Sequence, residues 1–216
     1  MGDFMDFFDL HCDTLTECMD DGDSLLKNER DIDFERGSIF GRWNQVFAVF
    51  VPDSMDDSLV EGYFDSACNF YFDELKKKGD VFPILSSEDV RGHSRGVMLA
   101  MESSRGVGSL ERLEKLYERG LRLITLTWNH KNRAAGGCDE GGGLTDWGRE
   151  LVSKMEKLGI VTDVSHLSDR SFYDLCEFSD APFIASHSDA RAVHNEVRSL
   201  TDEQIKIIIE RGGLIG

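Results

Sequence analysis

The chain has 216 residues, about 1.4 times a typical domain of roughly 150, so a single domain over residues 1–216 is expected. Forty per cent apolar residues and only three prolines exclude a disordered, collagenous or coiled-coil protein. Its 24 Lys and Arg against 41 Asp and Glu give a net charge of −17, which argues against nucleic acid or an anionic membrane as partner, since both need basic surface.

No apolar run nears the roughly 20 residues that span a bilayer, and the start Met1-Gly2-Asp3 lacks the basic residues of a secretory leader, so a cytoplasmic protein is expected. The first predicted strand covers residues 7–13, and a second follows at 45–51. A helix is predicted over 58–78, with Leu59, Tyr63, Ala67, Phe70 and Leu75 as its apolar stripe. The third strand falls at 96–102. Three segments then share one grammar, an amphipathic helix closed by a basic residue and glycine and followed by an apolar run: 110–120 then 121–127, 147–159 then 160–166, and 205–212 then 213–216. The glycines Gly120, Gly159 and Gly212 supply the left-handed residue that ends each helix. A further strand is predicted at 182–187, and Thr201 with Gln204 forms a capping box ahead of Ile205. The five cysteines, Cys12, Cys18, Cys68, Cys138 and Cys176, show no C-x-x-C pair and read as free, mostly buried thiols.

Helices alternating with seven strands imply parallel βα units and fit a TIM-type (β/α) barrel, incomplete at the C-terminus because a full eight-fold barrel takes about 250 residues. An open doubly wound sheet is the alternative. It requires a glycine-rich phosphate loop after the first strand, where His11-Cys12-Asp13-Thr14 stands instead. Gly136-Gly137 and Gly141-Gly142-Gly143 lack the G-x-G-x-x-G order and read as part of a mobile loop.

Potential metal ligands stand at four predicted strand ends: His11 and Asp13, Glu102, His166, and His187. In a parallel barrel these ends share one mouth. Strand alternation puts His11 and Asp13 on one face with Cys12 turned away. Each residue has a plain alternative, a solvated strand-end charge for Glu102 and a hydrogen-bonded core histidine for His166 or His187, but those alternatives leave the coincidence at one rim unexplained. Neutral imidazoles with carboxylates suit Zn²⁺, and a carboxylate shared by two ions about 3.5–4 Å apart can place a bridging hydroxide for attack on a carbonyl.

The segments Asp9-Leu10-His11-Cys12-Asp13-Thr14, Met98-Leu99-Ala100-Met101-Glu102-Ser103, Leu123-Ile124-Thr125-Leu126-Thr127-Trp128-Asn129, Asp163-Val164-Ser165-His166-Leu167-Ser168 and Ala185-Ser186-His187-Ser188 resemble the membrane (renal) dipeptidase family of two-zinc peptidases and its bacterial members. The resemblance runs through nearly the whole chain. It implies a barrel of the metal-dependent hydrolase type and two zinc ions, with His11 and Asp13 on one, His166 and His187 on the other, and Glu102 as the catalytic bridge. It further implies that Arg198 grips the carboxylate of a dipeptide substrate, a surface arginine beside the following helix being the plain alternative. The family often has a substrate-polarising histidine where Trp128 stands here, which leaves Trp128 as a substrate contact and His130, two residues on, for carbonyl contact or for the loop alone. Asp163 points off the ligand face and reads as orienting structure.

In the family an eighth strand follows, carrying an aspartate that positions the bridging water. The chain ends at Gly216. From that follow two expectations: unpaired first and seventh strands that favour a homo-oligomer, and slower dipeptide hydrolysis than by a chain carrying the eighth strand. Specificity is expected to rest on the loop over 133–143. The expected function is a zinc dipeptidase. The alternatives are another metal-dependent amide or lactone hydrolase on this scaffold, or a catalytically impaired metal-binding remnant.

Overall fold

The computed structural model describes residues 5–216. In chain order the elements are β1 (Asp6–Asp9), α1 (Thr14–Asp21), α2 (Phe34–Gly37), β2 (Arg42–Phe50), α3 (Asp57–Lys77), β3 (Phe82–Pro83), α4 (Asp89–Gly92), β4 (Arg95–Glu102), a 3₁₀ turn (Ser104–Val107), α5 (Leu110–Glu118), β5 (Leu121–Thr125), α6 (Asp146–Leu158), β6 (Val161–Asp163), α7 (Asp169–Phe178) and α8 (Asp202–Glu210). The sheet is parallel in the order β1-β2-β4-β5-β6, with the two-residue β3 paired to the start of β4. Single parallel bridges, Asp163 to Ile184 and Ala185 to Ile215, carry the same order onward.

Side chains alternate across this wall as a barrel requires. Val46 and Ala48 of β2 meet Ala100 of β4 and Leu123 of β5 in a small inner cluster. Their neighbours Phe47, Val49, Leu99, Met101 and Ile124 face outward into the large cluster shared with the helices. The fold is the expected TIM-type (β/α) arrangement. Gly216 lies beside Leu10, so the Ile215 segment comes up to the chain that leaves β1.

The helix signals hold. Thr145 caps α6 through the amide of Gly148, and Thr201 and Gln204 form both bonds of the capping box at α8. Gly120, Gly159 and Gly212 all take positive φ, at 105°, 81° and 75°. Other expectations need correction. The face of α3 that packs inward includes the expected Ala67 and Leu75 together with Val60, Phe64, Cys68 and Tyr71, while Leu59 is exposed; Tyr71 reaches under the sheet to bond the Val97 carbonyl at 3.0 Å. The strands at 182–187 and 213–216 shrink to single bridges. All five cysteines are free, but only Cys18 and Cys68 are fully buried. Among the described residues no helix is long and apolar enough to cross a membrane.

Candidate metal centre

β4 delivers Glu102 at its last residue, nearly fully buried, at the centre of the mouth. His166 Nε2 lies 3.0 Å and His187 Nε2 3.5 Å from its Oε1, while His11 Nε2 lies 3.6 Å from its Oε2. Side-chain donors of His11, Glu102 and His187 all fall within 4.8 Å of one another. Burial alone would raise the Glu102 pKa, but the bonded His166 and His187 and the nearby His11 outweigh it and hold the carboxyl well below the usual range. Burial pulls His11 down, yet Asp13 and Glu102 leave it raised; for His166 burial prevails and the ring is lowered.

The route by which His11 and Asp13 meet differs from simple strand alternation. β1 ends at Asp9, and the ladder resumes when Cys12 bonds Val46 and Ala48, accommodating one extra residue as a bulge. Asp13 is then the N-cap position of α1, with Oδ1 3.5 Å from His11 Nε2. That oxygen is buried and makes no hydrogen bond. His166 likewise lies beyond its strand, in a turn after β6, with φ of 69°, and Ser103, directly after Glu102, has φ of 79°. Such backbone persists where surroundings over-determine it. Here Thr127 Oγ1 and the Cys138 amide both donate to the His166 carbonyl.

Two hydrogen-bond networks set the imidazoles. His166 Nδ1 donates to the Asn129 side-chain oxygen at 2.7 Å. Ser186 Oγ donates to Asp163 Oδ2 at 2.6 Å and so can accept from His187 Nδ1 at 2.8 Å. Both rings then present Nε2 lone pairs, 2.9 Å apart, toward the same Glu102 oxygen. Acceptors facing acceptors, together with the orphaned Asp13 oxygen, call for a positive centre. The donor set of imidazole and carboxylate fits Zn²⁺ or a similar divalent ion.

Arg198 approaches the cluster from the loop before α8, donating to Ser188 Oγ at 2.8 Å and to the His187 carbonyl at 2.7 Å. Both acceptors are neutral, and burial lowers its pKa. The Trp128 ring lies 5.0 Å from Phe50 and 6.2 Å from His166 between centroids. The structure does not bring His130 into the cluster. Its Nδ1 pairs with Asp53 at 2.7 Å beside a cavity of about 700 Å³ whose walls include Arg105, Asn132, Arg133 and Trp147. None of that cavity's lining residues belongs to the histidine cluster.

The glycine-rich loop expected to be mobile is anchored: Gly136 bonds Gly143, Ser168 and Ser171, and Gly137 bridges to Leu167. A Cβ on Gly137 would collide with the Asn129 carbonyl, so glycine there lets the loop lie against the turn that holds His166. Asn129 and Ser186 were not singled out from the sequence. The signal available was the Ser-His pair repeated at successive strand ends, Ser165-His166 and Ser186-His187.

The sequence profile described as Membrane dipeptidase (Peptidase family M19) matches residues 3–216. A protein of Acinetobacter calcoaceticus known as an uncharacterized protein in the PQQ-III 3′ region is 32% identical over 139 residues, 60% of this chain and 44% of its own length. The chain spans about half the length of the curated relatives it matches. A solved dipeptidase of family M19 superposes with a TM-score of 0.89 at 24% identity, covering 99% of this chain and 72% of that one. A metallopeptidase from Rhodobacter sphaeroides, liganded with a phosphinate mimic of the dipeptide L-Ala-D-Ala, gives 0.87 at 23% identity, covering 99% and 74%. At these identities the superpositions establish the fold.

Proposed function

This chain belongs to the membrane dipeptidase family, peptidase family M19, and on that premise we propose that it is a zinc-dependent dipeptidase cleaving the single peptide bond of short, unprotected dipeptides. The observation that carries this reading is the convergence of three imidazole Nε2 atoms on both oxygens of buried Glu102. Two zinc ions are proposed, one held by His11 and Asp13, the other by His166 and His187, with Glu102 shared. Bound there, they would polarise the scissile carbonyl and make water nucleophilic near neutral pH.

The chain's own residues supply the remainder. Glu102 has both oxygens engaged and its carboxyl held well below the usual range, so it binds rather than carries protons. Arg198, a half-buried guanidinium with neutral partners, suits the substrate carboxylate through a planar two-point grip. Trp128, packed on Phe50 beside His166, offers an apolar wall. His130, turned toward Asp53, is left with contact to substrate atoms that extend into the neighbouring cavity. In the reaction a C–O bond forms from water, the C–N bond breaks, and a proton from that water ends on the leaving amine.

The test combines elemental analysis with a dipeptide panel. Protein equilibrated with zinc and freed of excess should carry two ions per chain and hydrolyse free dipeptides. C-terminally amidated ones, lacking the charge for Arg198, should be spared. Zinc content near zero would overturn the metal reading, and indifference to amidation would overturn the role of Arg198.

A further inference from the structure

Asp163 is fully buried in the last position of β6, yet among the described residues no Lys or Arg pairs with it. Its Oδ1 accepts the amides of Ser165 and Ser186, both at 3.0 Å. Its Oδ2 accepts the hydroxyls of Thr125 at 2.7 Å and Ser186 at 2.6 Å. A carboxylate can only accept, so the Ser186 proton is committed to Asp163, and the free lone pair of Ser186 Oγ faces His187 Nδ1 at 2.8 Å. That arrangement is satisfied only when Nδ1 carries the imidazole proton, which leaves the Nε2 lone pair directed at the cluster.

We propose that Asp163, acting through Ser186, is a positioning residue that fixes the tautomer of His187 and thereby makes its Nε2 available to a metal ion. The inference rests on the metal reading above for its purpose, but not for its geometry. In Asp163→Asn the two backbone amides hold the side-chain oxygen at the Oδ1 position, so the amide nitrogen occupies the Oδ2 position and donates to Ser186 Oγ. Ser186 must then donate to His187 Nδ1, and the imidazole proton moves to Nε2, where it blocks coordination. A loss of hydrogen bonding alone makes no such prediction, since this variant keeps the contacts at Thr125 and Ser186 and reverses their polarity.

Long-range ¹H–¹⁵N spectra of histidine-labelled, metal-free protein, at a pH where the rings are neutral, read the tautomer directly. His187 should be protonated on Nδ1 in the wild type and on Nε2 in D163N, while His166, held by Asn129, keeps its Nδ1 proton in both. Chelator competition with zinc should show affinity reduced about 10–100-fold in D163N, the usual effect of removing a group that orients a ligand. S186A should also weaken zinc binding, and S186T, which restores the hydroxyl, should recover most of it. Retention of the Nδ1 proton by His187 in D163N would overturn the proposal, as would S186T binding no better than S186A. A wild type that binds no zinc would instead sink the metal reading, with the tautomer still deciding the role of Asp163.

Discussion

Glu102 is where residue chemistry and function meet, because one buried carboxylate receives all three imidazoles. If it is shared by two ions, Glu102→Gln should lower the occupancy of both, while His166→Ala should mainly empty one; equal losses by elemental analysis would count against sharing. His130 gives a separate test. The bond to Asp53 outweighs its slight desolvation and raises its pKa above the ordinary 6.5. The stabilisation from this pair is therefore fully present below that ordinary value and lost as pH rises through the raised one. An NMR titration should place the His130 midpoint above 6.5, and Asp53→Asn should bring it back. The candidate ligands were legible in the sequence because each stands near the end of an apolar run. Asn129, Ser186 and the bulge before Cys12 were not: each depends on a neighbouring strand distant in sequence, and the 37 residues from Asn129 to His166 leave no periodic trace.

Among the elements, those with explicit punctuation were the ones readable beforehand. The capping box of α8 satisfies two backbone donors at once, so Thr201→Ala should destabilise the protein by about 1 kcal/mol, with a range of about 0.5–2, measured by urea unfolding. No change in midpoint would mean that α8 is held by packing alone, through Gln204 and Ile208. By contrast α1 and α7 went unread. α1 has the polar sequence TLTECMDD, and its buried face is partly threonine; the buried face of α7 includes Ser171, which turns its hydroxyl to the Gly136 carbonyl. The apolar stripe of α3 was right at Ala67 and Leu75 but misplaced at Leu59, because two overlapping stripes exist in its sequence, and only packing against the sheet selects the one through Phe64 and Tyr71.

At the scale of the whole molecule, the parallel order of the sheet is what turns positions 11, 102, 166 and 187 into neighbours. This has a kinetic consequence. A site assembled from four distant stretches of chain exists only once nearly all of the wall is in place, so an ion that binds it contributes little to the folding transition state. Contacts absent from that state alter unfolding rates and leave folding rates alone. Zinc at a hundredfold excess over Kd should add about 2.7 kcal/mol of stability per independent site. Stopped-flow measurements in urea should therefore show unfolding slowed about 100-fold for each independent site filled, with refolding unchanged. Faster refolding in zinc would mean that the histidines gather early. If they do not, the bound ion works as a latch on the finished barrel, and stripping it with chelator should shorten the lifetime of the native state long before any loss of native structure is visible.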